Sequence, residues 1–168
     1  MATPKVLTKT SIIRLNEAVT RVFPLFGPLR EQEWAEGWQP RMVIPDSEEV
    51  QEHMVFQTES HDLHNPSTST WIVSKYDPKR AFIEYTVFTD ARIWWVAISC
   101  EEDEARSTTA ATVTYTYLGL TQQANHLNEV ALESMFRHDL RDWEKALNYY
   151  LKTGTQLSHS HHFPSEPQ

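Results

Sequence analysis

Proline placement constrains this chain more than any other feature. Seven of the nine prolines lie at or before Pro78, the other two are Pro164 and Pro167, and none falls in the 85 residues between. Proline removes a backbone donor and is excluded from helix interiors and central strands, so this proline-free stretch is where long regular elements can form. Within it the hydrophobic period changes once. Up to Leu118 apolar residues alternate, as on a half-buried strand; beyond Gly119 they recur every three or four residues, as on a helix.

Period-two segments recur between turn signals at Gln39–Ile44, Glu52–Glu59, Thr68–Tyr76, Ala81–Thr89, Arg92–Cys100 and Ser107–Leu118. Short polar connectors between them, including Asp77-Pro78, Asp90-Ala91 and the acidic stretch Glu101–Arg106, predict antiparallel pairing, because parallel strands need crossovers of a dozen residues or more. Asn65-Pro66 and its Ser and Thr neighbours predict the longest loop. Ahead of these lies a β-branched strand at Lys5–Asn16, then two short helices: Glu17–Phe26, with Asn16 as N-cap, and Pro28–Ala35.

Between Gly119 and Gly154, Leu132, Met135, Phe136, Leu140, Trp143, Leu147, Tyr150 and Leu151 define one face of an amphipathic helix. Taken from about Asn125 to Lys152 it is roughly 40 Å long at 1.5 Å per residue, enough to cross a whole sheet. Thr121 or Asn125 is its predicted cap, and Gly154 suits the position just past its end. The reading is one α+β domain over residues 1–154, with a flexible polar tail over 155–168.

Strand, two short helices, six strands and a long helix leave one arrangement that buries the apolar face of a seven-stranded sheet: the sheet curves around the last helix. The sequence resembles the START-like superfamily, also called SRPBCC, which includes polyketide cyclases and birch-pollen-allergen-like proteins and has a helix-grip fold. The resemblance rests on Val22-Phe23-Pro24-Leu25-Phe26, on Glu33-Trp34 followed by Gly37-Trp38-x-Pro40, on Thr70-Trp71 at a strand start, and on the closing helix with Trp143. Among the members it resembles the uncharacterised bacterial group. The resemblance implies a curved antiparallel sheet wrapped around the C-terminal helix, with a cavity between them. It carries over no catalytic motif residue by residue, and fold alone does not decide function.

Six tryptophans, at 34, 38, 71, 94, 95 and 143, supply either an aromatic-lined pocket or ordinary core packing. Trp94 and Trp95 are adjacent on a strand and must face opposite sides. Trp34, Trp38, Trp71, Tyr85, Tyr115, Phe136 and Trp143 are the candidate ligand-binding residues; catalytic residues are not identifiable, and a non-enzymatic binder is favoured. If Tyr85 faces inward, its neighbour Glu84 faces water. The expected role is binding or carriage of a hydrophobic or aromatic small molecule, lipid-like or polyketide-like. A polyketide cyclase or dehydratase using the same cavity, and a co-chaperone-like interaction domain, are the alternatives.

Other partners are disfavoured. A formal charge of −8 opposes nucleic-acid binding, which depends on neutralising phosphates. The apolar run Trp94–Ile98 is far too short to span a bilayer, so no integral membrane association is expected. His61-x-x-His64 with Glu59 and Asp62 lacks a second ligand pair and reads as a solvated loop, so no metal and no cofactor is expected. Four glycines and no phosphate-loop or nucleophile-elbow motif disfavour nucleotide and acyl-transfer enzymes. The lone Cys100 and a non-apolar N-terminus fit the cytoplasm, and exposed sheet edges permit a homodimer.

Overall fold

The computed structural model describes residues 3–45, 47–60 and 67–158. The expected Asn65-Pro66 turn, His61 and His64, and the tail from residue 159 lie outside the described residues. Strands β1 (Val6–Leu15), β2 (Arg41–Ile44), β3 (Val55–Glu59), β4 (Thr68–Asp77), β5 (Phe82–Phe88), β6 (Arg92–Asp103) and β7 (Thr108–Gly119) form one seven-stranded antiparallel sheet in the order β1-β7-β6-β5-β4-β3-β2. The architecture is the predicted helix-grip fold.

Side-chain alternation sets which face is inside. In β7 the residues Ala111, Val113, Tyr115 and Tyr117 are buried, and Thr112, Thr114 and Thr116 turn to the outer face. There Thr116 and Thr114 meet Thr8 and Thr10 of β1 at 3.2 and 2.9 Å. In β6 Trp94, Val96 and Ile98 are buried, and Trp95 lies on the other side, as adjacency on a strand demands. The β4–β5 register shifts between Val73 and Lys75, an irregularity of the kind that bends a strand and increases twist.

Because β1 and β2 are opposite edges of the sheet, the chain between them must cross one end of it. It does so in three short pieces: α1 (Val19–Val22), a 3₁₀ turn at Phe23–Phe26 and a second at Arg30–Glu33. The two α-helices expected over Glu17–Phe26 and Pro28–Ala35 are therefore shorter and tighter than predicted. Pro24 and Pro28 remove backbone donors that a continuing helix would use. Asn16 is not the cap: its N–H donates to Asn148 Oδ1, and the free Val19 N–H is instead satisfied by Glu102 Oε1 at 2.9 Å.

The C-terminal helix runs from Gln122 to Thr153 in three parts: α2 (Gln122–Ser134), a π-helical turn (Met135–Asp139) and α3 (Leu140–Thr153). Thr121 is the cap, its Oγ1 accepting from Ala124 N at 3.1 Å, so the helix starts one turn earlier than Asn125. Gly119 makes that start possible, since a Cβ there would lie 2.1 Å from Asn125 Oδ1. Gly154 ends the helix with φ +73°, the left-handed conformation that a side chain disfavours.

Candidate functional site

The core side chains of α3, the concave sheet and the crossing segment are continuous with a layer of aromatic rings. Trp34 contacts Trp143 with centroids 5.9 Å apart, and Trp143 contacts Tyr115 at 6.4 Å. Tyr115 stacks on Tyr117, which meets Trp94, and both pairs are separated by 5.9 Å. Trp94 leads to Trp71 at 6.3 Å, and Trp71 to Trp38 and Tyr85 at 5.3 and 5.7 Å. Phe136 closes on Tyr115 from the helix side at 6.2 Å. All seven candidate residues thus belong to one connected aromatic layer. Trp34, Tyr85 and Tyr115 are buried in it; Trp38, Trp71, Phe136 and Trp143 keep accessible surface.

Backbone carbonyls of the crossing segment fix several of these rings. Trp34 Nε1 donates to Leu25 O and Trp38 Nε1 to Pro28 O, both at 2.7 Å, and the Tyr85 hydroxyl donates to Phe26 O at 2.6 Å. Each bond satisfies a polar atom that the aromatic body would otherwise drag into the interior unpaired. As expected with Tyr85 inward, Glu84 lies on the other face, where Ser74 Oγ donates to Glu84 Oε1 at 2.9 Å.

Among the described residues the Tyr115 and Tyr117 hydroxyls, the Trp94 and Trp143 indole N–H groups and the nearby Glu31 carboxyl have no such partner. Among the described residues, however, the polar side-chain atoms that are both sealed and unpaired are Asn125 Oδ1 and Asn128 Nδ2. Glu31 precedes Trp34 by three residues on a 3₁₀ turn, where residues three apart eclipse, so it shares the inward side of fully buried Trp34. Glu31 is partly buried there.

Burial pushes the Glu31 carboxyl up to about 8, because ionisation in so dry a place costs solvation. The same cause, with the Glu31 charge adding to it, holds the Tyr85 and Tyr115 hydroxyls well above the usual phenol range. Tyr117 is raised to about 12 by burial; the Arg92 charge opposes the shift and Asp139 adds to it. Asp139, on the π-helical turn, is raised by partial burial and by its neighbour Asp142. It lines a crevice of about 220 Å³ with Trp34 and Trp143. Burial raises the Cys100 thiol to about 12, so it is not a thiolate at neutral pH.

At the α2 end the layer meets a cleft of about 760 Å³ between the strands and the helix. Thr70, Phe88 and Arg92 line it from the sheet, and Ala124, Leu127, Val130 and Ala131 from α2. The Arg92 guanidinium carbon stands 4.7 Å from the Trp94 ring centroid and 5.6 Å from that of Tyr117. Arg92 Nη1 donates to Asn128 Oδ1 at 3.2 Å, and Asn128 is fully buried with its Nδ2 unpaired. A buried donor without a partner costs about 1–3 kcal/mol.

Glu31, Arg92, Asn128 and Tyr117 also lie near the aromatic layer and are not among the seven residues read from sequence. Asn128 had a signal: it follows Ala124 and precedes Leu132 by four residues, a polar side chain in an inward stripe. Arg92 had none, because a strand's first residue does not declare what its side chain lies over.

No family model matches the sequence, and no curated protein matches it. Solved structures do match in fold. The Zhui aromatase/cyclase from Streptomyces sp. R1128 is 12% identical with a TM-score of 0.67, over 92% of this chain and 100% of that one. A norcoclaurine synthase point mutant from Thalictrum flavum, in complex with a transition-state analogue, is 6% identical with a TM-score of 0.67, over 92% and 99%. Ara h 8.0201 is 12% identical with a TM-score of 0.62, over 89% and 99%. With these proteins the chain shares the START-like helix-grip fold.

Proposed function

We propose that this protein binds a hydrophobic or aromatic small molecule between the concave sheet and the C-terminal helix. The observation that carries the reading is the connected layer of aromatic rings under the C-terminal helix, with a cleft of about 760 Å³ between α2 and the sheet at one end of it. Apolar walls with a few convergent polar groups are how small-molecule sites are usually built. The cleft of about 760 Å³ at the α2 end is within the size range of such sites. The fold shared with an aromatase/cyclase and a norcoclaurine synthase supports the same reading.

Native mass spectrometry of freshly purified protein tests it. A stoichiometric apolar or aromatic adduct, or saturable quenching of tryptophan fluorescence by flat apolar probes, is the expected result. A clean apo mass together with no quenching by any probe would remove the proposal.

A cyclase-type enzyme is the second reading, and Glu31 is what favours it. A carboxyl that stays protonated near neutrality can give a proton to a ligand carbonyl and take one back, and the Tyr115 hydroxyl beside it can orient that carbonyl. Turnover of a reactive carbonyl compound that disappears in Glu31→Gln, with binding retained, would separate catalyst from carrier.

A further inference from the structure

Arg92 is held in an unusual way for a cation in an acidic protein. It begins β6 immediately after the Asp90-Ala91 turn, and its guanidinium lies over Trp94 and Tyr117 at the junction of the cleft and the aromatic layer. Among the described residues no carboxylate forms an ion pair with it, and Asp90, which also lines the cleft, makes none. Among the described residues its side-chain hydrogen bond goes to Asn128 Oδ1. A guanidinium has five N–H donors in a rigid planar fork, so most of its capacity remains open. The bond to Oδ1 also fixes the orientation of the Asn128 amide, which leaves Nδ2, a second donor, without an acceptor. The cleft lining also carries acceptors, Asp90 and the hydroxyls of Ser67, Thr68, Ser69 and Thr70 among them, and among the described residues none of these pairs with Arg92.

The surroundings narrow what can supply the acceptor. Arg92 is the one cationic side chain among the residues lining the cleft, whose helix wall is Ala124, Leu127, Val130 and Ala131. With Arg92 as the cation and Asp90 as the carboxylate of the lining, a singly charged acid is accommodated better than a phosphate dianion. A planar fork suits a planar pair of oxygens. The aliphatic wall suits an apolar body.

We propose that Arg92, oriented by Asn128, is the recognition site for the carboxylate of a hydrophobic acid whose apolar body lies against α2 and the aromatic layer. The proposal rests on the reading of the protein as a small-molecule binder and adds the chemical class of the ligand. Arg92 supplies the charge and the fork. Asn128 is a positioning residue: it holds the guanidinium over the rings, where the cation–π contacts with Trp94 and Tyr117 prevent it from swinging to solvent.

The test uses a matched pair of probes, 2-naphthoate and its neutral isostere 2-naphthamide, titrated against the whole protein by tryptophan fluorescence and by calorimetry. Wild type is expected to prefer the carboxylate by at least about tenfold, the scale of a charge-assisted hydrogen bond. In Arg92→Gln the ratio of the two affinities is expected to fall to about one, since the charge is the only basis for the preference. Arg92→Lys should restore part of the ratio, because a point charge lacks the fork. The wild-type ratio itself needs no variant to fold, so misfolding of Arg92→Gln does not rescue the idea. Equal binding of both probes by wild type, or a preference that survives Arg92→Gln, overturns the carboxylate site and leaves small-molecule binding standing. If neither probe binds wild type, the carboxylate site falls, and small-molecule binding is decided by the native mass.

Discussion

The two halves of the C-terminal helix have the same neighbour, the concave sheet, and use it differently. In α3, Leu140, Ala146, Leu147 and Leu151 are buried, and Glu144 and Asn148 accept from the backbone N–H of Arg14 in β1 and of Asn16 just past it. In α2 the buried residues are Ala124, Asn128 and Leu132, two of them small or polar, and Leu127 and Val130 remain 48% and 56% exposed beside the cleft. The π-helical turn of Met135–Asp139 separates the halves, and an irregular turn of this kind often marks a functional position. One half of the helix fastens the fold and the other leaves room. A grip that was equally tight along its length would bury the same apolar area and have nowhere to admit a guest.

The sharpest way to break this contrast is to truncate one side chain in each half. Leu147→Ala, at a site with no exposure, should cost about 2–5 kcal/mol of unfolding free energy, whereas Val130→Ala should stay within about 0.5 kcal/mol. Urea denaturation of the two variants measures both. Similar losses would mean that α2 is clamped as firmly as α3.

Glu31 gives the next largest effect, and its sign follows from linkage. Unfolded, its carboxyl ionises near the ordinary value of 4.5; folded, at about 8. Between those values the folded state holds more protons than the unfolded one, so this group's contribution is full below about 4.5, falls as pH rises, and is gone above about 8. Glu31→Gln carries no such titration, so its thermal midpoint should exceed that of wild type increasingly from pH 5 to pH 8. Parallel pH profiles would place Glu31 in contact with bulk water.

A smaller effect is expected at the two ends of the helix. Thr121→Ala loses the cap at the start of α2 and should cost about 1 kcal/mol. Gly154→Ala forces a side chain into a left-handed residue at the end of α3, again for about 1 kcal/mol. If α2 is the more loosely held half, hydrogen exchange after Thr121→Ala should rise through α2 and stop at the π-helical turn. The smallest stability change should come from Leu127→Ser, within about 0.5 kcal/mol. It should nonetheless weaken binding of 2-naphthoate by about threefold to tenfold, the worth of partial apolar contact. Unchanged binding would take the ligand away from α2.

Much of the fold was legible because its signals are local and periodic. The alternation in Thr108–Gly119 and the three-to-four spacing in Leu140–Leu151 are backbone geometry written as hydrophobicity, and Thr121 and Gly154 are end signals with a mechanism. The crossing segment was read less well: Pro24 and Pro28 allowed short helices without saying that they would tighten to 3₁₀ turns. The candidate site was legible by residue type, since the seven aromatics chosen do lie in one layer, and illegible by contact. Trp34 and Trp143 are more than a hundred positions apart, and only the curvature of the sheet puts them 5.9 Å from each other.

Sequence by itself determined the order of elements, the inward face of each strand and the helix that must cover the sheet, because burying apolar surface at periods of two and 3.6 leaves few alternatives. Tertiary structure alone decided the chemistry of the interior. The raised Glu31 carboxyl and the Arg92 guanidinium over Trp94 arise from desolvation and charge between groups brought together by β5, β6, β7 and a segment crossing from the opposite edge. Those energies depend on distance and burial in three dimensions, and no spacing along the chain encodes them.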